Sequence, residues 1–451
     1  MANPSASVQE SHQSVDAPSE NLVPKHMLLA FMLVTFCFAL WGFANDVTNP
    51  MVAAFQKIFL TTATDATWVQ VAYYGGYGLM AFPAAFFIRR YSYKAGILMG
   101  LGLYAVGGLL FVPASYIGEF YPFLIAYFIL TSGLSFLETS ANPYILSMGP
   151  AATATRRLNL AQAFNPIGGL LGMYAASQFI LARMDSRDRA TRETLSATDF
   201  EAVKSADLAV LSHPYIVIGI VIAVMFLLIA CMKMPSGKET VEGTSTTKEI
   251  FARLIRTPRY VEGVIAQVFY VGAQIMCWTF IIHYGTEVFV AQGMSEAAAQ
   301  VKSQNFNVIA MIIFCVSRFI CTFLLKYIAP GTLLMSLAAG GIVLSVGTIT
   351  LGGSLGIYCL VGISGCMSLM FPTIYGIALE GIRGDDAKFA AAGLIAAIVG
   401  GTFLPMLQAV IIDNWSSSAL SATQSSFSLP LLCFLIIAVY GYRAVKVHPA
   451  R

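Results

Sequence analysis

The feature that most constrains this chain is a series of long apolar segments repeated along almost its whole length. A membrane-spanning helix needs about 20 mainly apolar residues at a rise of about 1.5 Å each, and about twelve segments meet that requirement. We number them as spans 1 to 12, near residues 27–56, 67–88, 95–114, 120–148, 158–182, 213–233, 260–287, 299–327, 331–351, 355–380, 388–412 and 427–445. Only 11% of the residues are charged, against about 25% in a soluble domain. The sequence therefore predicts an all-α membrane protein with twelve transmembrane helices.

Basic residues cluster in alternate loops. Arg89, Arg90 and Lys94 follow span 2, and Arg156 and Arg157 follow span 4, whereas the short loops on the other side carry few positive charges. The positive-inside rule places the basic loops, and with them both termini, in the cytoplasm. We therefore expect a protein of the cell membrane, which is the inner membrane if the source is a Gram-negative bacterium.

A polar segment at 234–259 divides the spans into two groups of six. Its Gly, Ser, Thr and charged residues are typical of a linker. Segments 90–99 and 326–335 both begin with a basic residue and Tyr and end with Leu and Met, which favours two six-helix pseudo-repeats, the major facilitator fold. The predicted domains are a disordered cytoplasmic tail at 1–24, an N-terminal bundle at 25–233, the linker at 234–259, a C-terminal bundle at 260–446 and a tail at 447–451. A mixed-charge segment near 183–212 is predicted to be a long outer loop.

Two carboxyl groups lie inside spans of the N-terminal half. Asp46 in span 1 follows a long uncharged run, and Glu138 in span 4 has apolar residues far on both sides. Ionisable groups at membrane depth are costly and usually face a cavity. Their depths differ by about 10–15 Å at about 1.5 Å per residue, so we expect one to take a proton and the other to hold a substrate. The alternatives are that span 1 ends near residue 45, leaving Asp46 in water, and that Glu138 is a protonated structural residue.

Amide and aromatic side chains recur at helical spacing in several spans. Gln162 and Asn165 lie three residues apart in span 5, and Tyr270, Gln274 and Trp278 recur every four residues in span 7. Amides both donate and accept hydrogen bonds, which suits neutral hydroxylated ligands, and aromatic rings pack against the apolar faces of sugars. Ordinary helix packing is the alternative for the aromatic stripe. The candidate substrate-binding residues are Trp41, Asn45, Glu138, Asn142, Gln162, Asn165, Tyr270, Gln274 and Trp278.

Other features of the spans favour structural roles. Arg318 in span 8 lies about two turns before Lys326, so we expect it to reach towards the cytoplasm as an anchor or an inter-helix latch. The glycines within 73–78 are interpreted as a surface for packing or sliding between helices. The cysteines and histidines lack metal-ligand spacing, and no nucleotide-binding loop is present. We expect no metal, no cofactor, no enzyme activity and a proton gradient as the energy source.

The chain resembles the fucose–proton symporter family of the major facilitator superfamily in several segments. They include WGFANDVTNP at 41–50, GLSFLETSANPYI at 133–145, RLNLAQAFNPIGG at 157–169 and YVGAQIMCW at 270–278. That family also includes glucose/galactose transporters. The resemblance implies proton-coupled symport of a neutral hexose of the L-fucose, galactose or glucose class by alternating access.

The resemblance also implies roles for individual residues. The family's span 1 aspartate is associated with proton transfer, which assigns that role to Asp46. Its span 4 glutamate is associated with sugar recognition and coupling, which assigns both roles to Glu138, and its span 5 amides match Gln162 and Asn165. One departure is Phe371, which stands where fucose carriers have an aromatic hydroxyl, so one hydrogen bond to the sugar is missing.

Two other functions fit the same sequence features. One is a major facilitator exporter of another small metabolite or a drug, although amide-rich spans argue against large cationic drugs. The other is an intramembrane sensor that transports nothing, although no soluble output domain is visible. The expected partners are a sugar, protons and the lipid bilayer, with no nucleic acid, and we expect a monomer.

Overall fold

A computed structural model describes residues 22–48, 51–61, 68–185, 187, 189–234, 245–414 and 420–447. Within these residues, eleven helices are long and apolar enough to cross a bilayer. They are Lys25–Thr48, Val71–Arg90, Tyr93–Ile117, Phe120–Ser147, Ala197–Cys231, Pro258–Ala291, Ala298–Leu324, Pro330–Leu351, Gly353–Leu379, Gly384–Asn414 and Ala422–Lys446. Most of the two predicted tails lies outside the described residues.

The remaining predicted crossing, span 5, is a broken helix. It consists of Ala154–Gln162, Asn165–Ala175 and a π-helical turn at Ala176–Leu181. Pro166 stands at the start of the second piece and has no N–H with which to continue the helical hydrogen bonding. The break leaves the Gln162 backbone carbonyl without a helical N–H partner, because the residue four positions later is Pro166.

Two segments predicted as loops contain helix. Span 6 begins at Ala197 because the Ser196 hydroxyl caps it, accepting a hydrogen bond from the Asp199 backbone N–H at 3.2 Å. Most of the predicted outer loop at 183–212 is therefore helical. The linker contains the helix Thr247–Ile255, which starts with a capping box between Thr246 and Glu249.

A buried ion pair fixes the N-terminal half at the end remote from the linker. Arg192 Nη2 lies 2.6 Å from Asp207 Oδ2, and both side chains are shielded from solvent. Asp207 also accepts from the Asp185 backbone N–H at 2.8 Å, while Lys57 Nζ donates to the Asp185 carbonyl at 2.5 Å. The Arg187 guanidinium beside Asp185 holds the pKa of that carboxyl well below its usual range. These contacts join segments that follow spans 1 and 5 to the start of span 6.

Replacing Asp207 with asparagine is expected to lower the free energy of unfolding by about 3 kcal/mol. Arg192 would stay buried without its nearest counter-charge, and the carboxyl of Asp185 lies farther away, at 3.8 Å. Thermal unfolding of the purified protein in detergent measures the change. Glu201→Gln is the matched control, since the Glu201–Lys204 pair is largely solvent-exposed on the carboxylate side and such pairs contribute about 0–1 kcal/mol. Equal unfolding temperatures for the two variants would contradict the structural role of this ion pair.

The two halves contact each other on the side of the membrane that carries the linker, which we call the linker side. Arg89 Nε lies 2.8 Å from Asp385 Oδ2, which joins the end of span 2 to the start of span 11. Arg89 Nη2 also donates to the Ser245 carbonyl at 2.5 Å in the linker. Between spans 5 and 10, Asn159 Nδ2 donates to Thr373 Oγ1 at 3.1 Å. These contacts close the space between the halves on the linker side.

Candidate substrate cavity

A cavity of about 120 Å³ lies between the two halves, at the level where span 5 is broken. Its N-terminal wall is polar and its C-terminal wall is mainly apolar or aromatic. The N-terminal half contributes Trp41, Asn45, Asp46, Tyr73, Tyr74, Tyr77, Glu138, Gln162, Asn165 and Pro166. The C-terminal half contributes Tyr270, Val271, Gln274, Ile275, Trp278, Met311, Phe314, Arg318, Phe371 and Ile398.

All the predicted site residues except Asn142 line this cavity. Asn142 is fully buried, and its Oδ1 accepts a hydrogen bond from Gln162 Nε2 at 2.8 Å. It lies one turn nearer the linker side than Glu138, where the halves close on each other. Asn142 therefore contacts a cavity-lining amide instead of lining the cavity itself, and its contact with a ligand stays a prediction.

Glu138 is a buried carboxyl group at the cavity without a hydrogen bond. It is 0% exposed, and neither carboxyl oxygen has a hydrogen-bond partner among the described residues. The Tyr77 hydroxyl at the same cavity also has no hydrogen-bond partner among the described residues. Buried polar groups are nearly always hydrogen-bonded, and an unsatisfied one is costly. A ligand with hydroxyl groups would supply the missing donors.

Asp46 is buried in the same cavity and has an amide neighbour. It lies within Leu28–Thr48, so span 1 does not end near residue 45, and its exposed fraction is 7%. Asn45 Nδ2 donates to Asp46 Oδ1 at 3.0 Å, and the Tyr73 hydroxyl donates to Asn45 Oδ1 at 2.9 Å. The two acids thus share one cavity, but they have different surroundings and no direct hydrogen bond.

Glycine makes room for the Asp46 carboxyl between spans 1 and 5. A Cβ atom at Gly169 would lie 2.0 Å from Asp46 Oδ2, and one at Gly168 would lie 1.8 Å from the Ala39 carbonyl oxygen. Span 5 therefore packs backbone to backbone against span 1 at the depth of Asp46, as small residues permit in membranes. Any side chain at Gly169 would displace the carboxyl or separate the helices.

Replacing Gly169 with alanine is expected to impair any function that depends on Asp46 by about tenfold or more, because the added methyl group overlaps the carboxyl. Initial transport rates in reconstituted vesicles measure the loss. Gly78→Ala is the matched control, since a Cβ at Gly78 would meet nothing within 4 Å. Equal rates for the two alanine variants would show that Asp46 tolerates displacement.

Comparison with known proteins identifies the family. The profile of the Major Facilitator Superfamily matches residues 32–394. The chain is 50% identical to the L-fucose-proton symporter of Haemophilus influenzae, over 94% of this chain and 99% of that protein. This chain belongs to the fucose–proton symporter family of the major facilitator superfamily. Its members are membrane transporters, not enzymes.

Other members of the symporter family match nearly as much of the chain. The glucose/galactose transporter of Brucella abortus is 30% identical over 94% of this chain and 96% of that protein. A solved major facilitator transporter, FucP, in the outward conformation superimposes with a TM-score of 0.83 at 30% identity, covering 93% of this chain and 99% of that one. The chain therefore has the fold of a major facilitator transporter over nearly its whole length.

Arg318 occupies a place that the sequence did not predict. It is 3% exposed and lines the cavity instead of reaching towards a membrane surface. Its Nη1 donates to the Gln162 carbonyl at 3.1 Å, and its Nε donates to the Ser368 carbonyl. Both carbonyls end helical pieces, where free C=O groups and the helix dipole favour a cation. Arg318 thus connects the breaks of spans 5 and 10, one from each half, as a latch.

Three tyrosines of span 2 line the cavity, although the sequence interpretation assigned that segment to packing. They are Tyr73, Tyr74 and Tyr77. Tyr73 and Tyr77 lie one helical turn apart and are 4% and 3% exposed. The sequence carries only the spacing of this aromatic pair, because the two acids come beside it only in the folded chain. The glycines between these tyrosines are typical of close helix packing.

Proposed function

We propose that this protein carries a neutral hexose-type sugar together with protons across the cell membrane by alternating access. The observation that supports this most strongly is Glu138, a buried carboxyl at the cavity whose oxygens accept no hydrogen bond from the described residues. Sugar hydroxyls are donors of the right kind, and the amides of Gln162 and Asn165 supply further polar contacts. Asp46 in the same cavity provides a second carboxyl to take the coupled proton.

Within the hexose class we propose L-fucose as the preferred substrate. The Haemophilus influenzae relative is named for L-fucose, whereas the Brucella abortus relative, named for glucose and galactose, is less similar. L-Fucose is 6-deoxy-L-galactose, so it has a methyl group where L-galactose has a hydroxymethyl group. A wall that includes Met311 and Phe314 suits that methyl group, since burying one CH₂-sized group contributes about 0.8 kcal/mol.

The transport cycle follows from the charge of the two acids. We propose that the linker side and both termini face the cytoplasm, as the positive-inside rule predicts. The contact between Arg89 and Asp385 then supports an outward-facing state. Protonation of Asp46 from outside removes a buried charge and lowers the cost of closing the cavity around the sugar. The halves rock, and proton and sugar leave inwards.

The test is uptake of labelled hexoses by vesicles that contain the purified protein, with the outside made acidic. We expect L-fucose to accumulate above its external concentration, galactose and glucose to compete weakly, and a protonophore to abolish accumulation. Vesicles without protein are the control. Accumulation that survives the protonophore, or uptake no greater than in the control vesicles, would refute proton-coupled sugar transport.

A further inference from the structure

We propose that Tyr73 and Tyr77 form a hydrogen-bond path that connects Asp46 to Glu138, so that protonation of Asp46 changes the hydrogen bond offered to Glu138. This inference rests on the proposed function, in which Asp46 takes the proton and Glu138 holds the sugar. Neither Glu138 oxygen bonds to Asp46. Two separate sites can be coupled when a structural element between them has two alternative conformations and each site shifts the balance between them.

The first half of the path consists of two hydrogen bonds. Asn45 Nδ2 donates to Asp46 Oδ1 at 3.0 Å, and the Tyr73 hydroxyl donates to Asn45 Oδ1 at 2.9 Å. The direction of these bonds suits an ionised Asp46, which can only accept. All three side chains line the cavity, so the path starts at the group that exchanges protons with the cavity.

The second half of the path is in place but not hydrogen-bonded. The Tyr73 and Tyr77 rings lie 5.7 Å apart between centroids, on successive turns of span 2. The Tyr77 hydroxyl and both oxygens of the Glu138 carboxyl are buried at the same cavity, and none of them has a hydrogen-bond partner among the described residues. Ser135 Oγ donates to the Tyr77 carbonyl at 3.1 Å, which holds this turn of span 2 against the turn of span 4 that bears Glu138.

Protonation of Asp46 reverses the direction of the path. A phenol has one hydrogen to donate, so Tyr73 cannot donate to Asn45 and to Tyr77 at once. Protonated Asp46 donates to Asn45 Oδ1 once the amide has rotated, and Asn45 Nδ2 then donates to the Tyr73 oxygen. The Tyr73 hydrogen turns to the Tyr77 oxygen, and the Tyr77 hydrogen turns to Glu138. Each phenol keeps its own hydrogen, and the only proton gained is the one on Asp46.

The consequence is that Glu138 acquires a fixed donor only after Asp46 is protonated. That donor holds the carboxyl in one orientation, with its remaining acceptor positions directed to the sugar. Tyr73 and Tyr77 are therefore positioning residues, which act through the two acids. Their loss should separate proton coupling from sugar exchange, whereas a purely structural role would reduce both together.

The test compares Tyr73→Phe and Tyr77→Phe with the wild type in reconstituted vesicles. Two quantities are measured: exchange of internal for external labelled L-fucose at equal pH, and accumulation of L-fucose under an imposed pH gradient. We expect the accumulation ratio to fall by up to about tenfold, as the loss of one buried hydrogen bond implies, and exchange to fall by much less, because both side chains line the sugar cavity but act on coupling. Tyr215→Phe is the matched control, because it removes a buried hydroxyl that pairs with Tyr127 at 2.7 Å, away from the cavity.

The outcomes separate this inference from the proposed function. If the wild type itself fails to accumulate L-fucose, proton-coupled transport of that sugar is wrong. If the wild type accumulates it and both phenylalanine variants do so equally well, the path is wrong. A parallel loss of exchange and accumulation in the two variants, with Tyr215→Phe unaffected, would also overturn the path in favour of a direct role in sugar binding. Should one variant fail to fold, the other gives the same decision.

Discussion

Replacing Asp46 with asparagine is expected to abolish accumulation of sugar against its gradient while sugar exchange persists. Asparagine keeps the shape and hydrogen bonding of a protonated aspartate but cannot release a proton. For one proton per sugar, a gradient of about one pH unit supplies about 1.4 kcal/mol, which supports about tenfold accumulation. In the variant we expect the accumulation ratio to fall to that of passive equilibration. Labelled sugar uptake into vesicles with an imposed pH gradient measures it.

The matched control for Asp46→Asn is Asp199→Asn, the same chemical change on an exposed side chain outside the cavity. It should accumulate sugar as the wild type does. Full accumulation by Asp46→Asn would transfer the coupling role to another group, and Glu138 would be the next candidate. Loss of both exchange and accumulation would instead indicate that Asp46 is needed for binding or folding.

Replacing Glu138 with glutamine is expected to weaken sugar binding by about tenfold to a hundredfold. Hydrogen bonds to a charged group contribute about 1.5–3 kcal/mol, and glutamine keeps the size of the side chain but loses the charge. Sugar-dependent quenching of tryptophan fluorescence measures the affinity, because Trp41 and Trp278 line the same cavity. Glu201→Gln is the control, because Glu201 is exposed and does not line the cavity. It should bind sugar as the wild type does. Unchanged affinity in Glu138→Gln would remove Glu138 from the sugar site.

Much of the fold was predictable because membrane spans follow from length and apolar character alone. The prediction was least accurate where local chemistry overrides hydropathy. Ser196 and Asp199 begin a long helix inside the predicted outer loop, although a Ser followed three residues later by an acid is a known helix start. Pro166 signals the break in span 5, yet its apolar neighbours make the segment look like an uninterrupted crossing.

The candidate site was predictable where a polar group interrupts an apolar run. Asp46, Glu138 and Gln162 stand out in that way, and all three line the cavity. Tyr73 and Tyr77 do not stand out, since tyrosine is also common in helix packing. Arg318 could not be placed, because its acceptors are carbonyls freed by breaks in two other helices, 156 and 50 positions away in the chain. Such a partner set exists only after the halves have assembled.

Sugar and proton are expected to cross together through the cavity that holds both acids. A pH electrode in a weakly buffered suspension of vesicles containing the protein follows this directly as L-fucose is added. We expect the external medium to become more alkaline as sugar enters, and Asp46→Asn to show no such change. The contrary result would be that L-fucose enters wild-type vesicles while the external pH stays constant. A permeant ion is included so that the membrane potential does not stop proton entry.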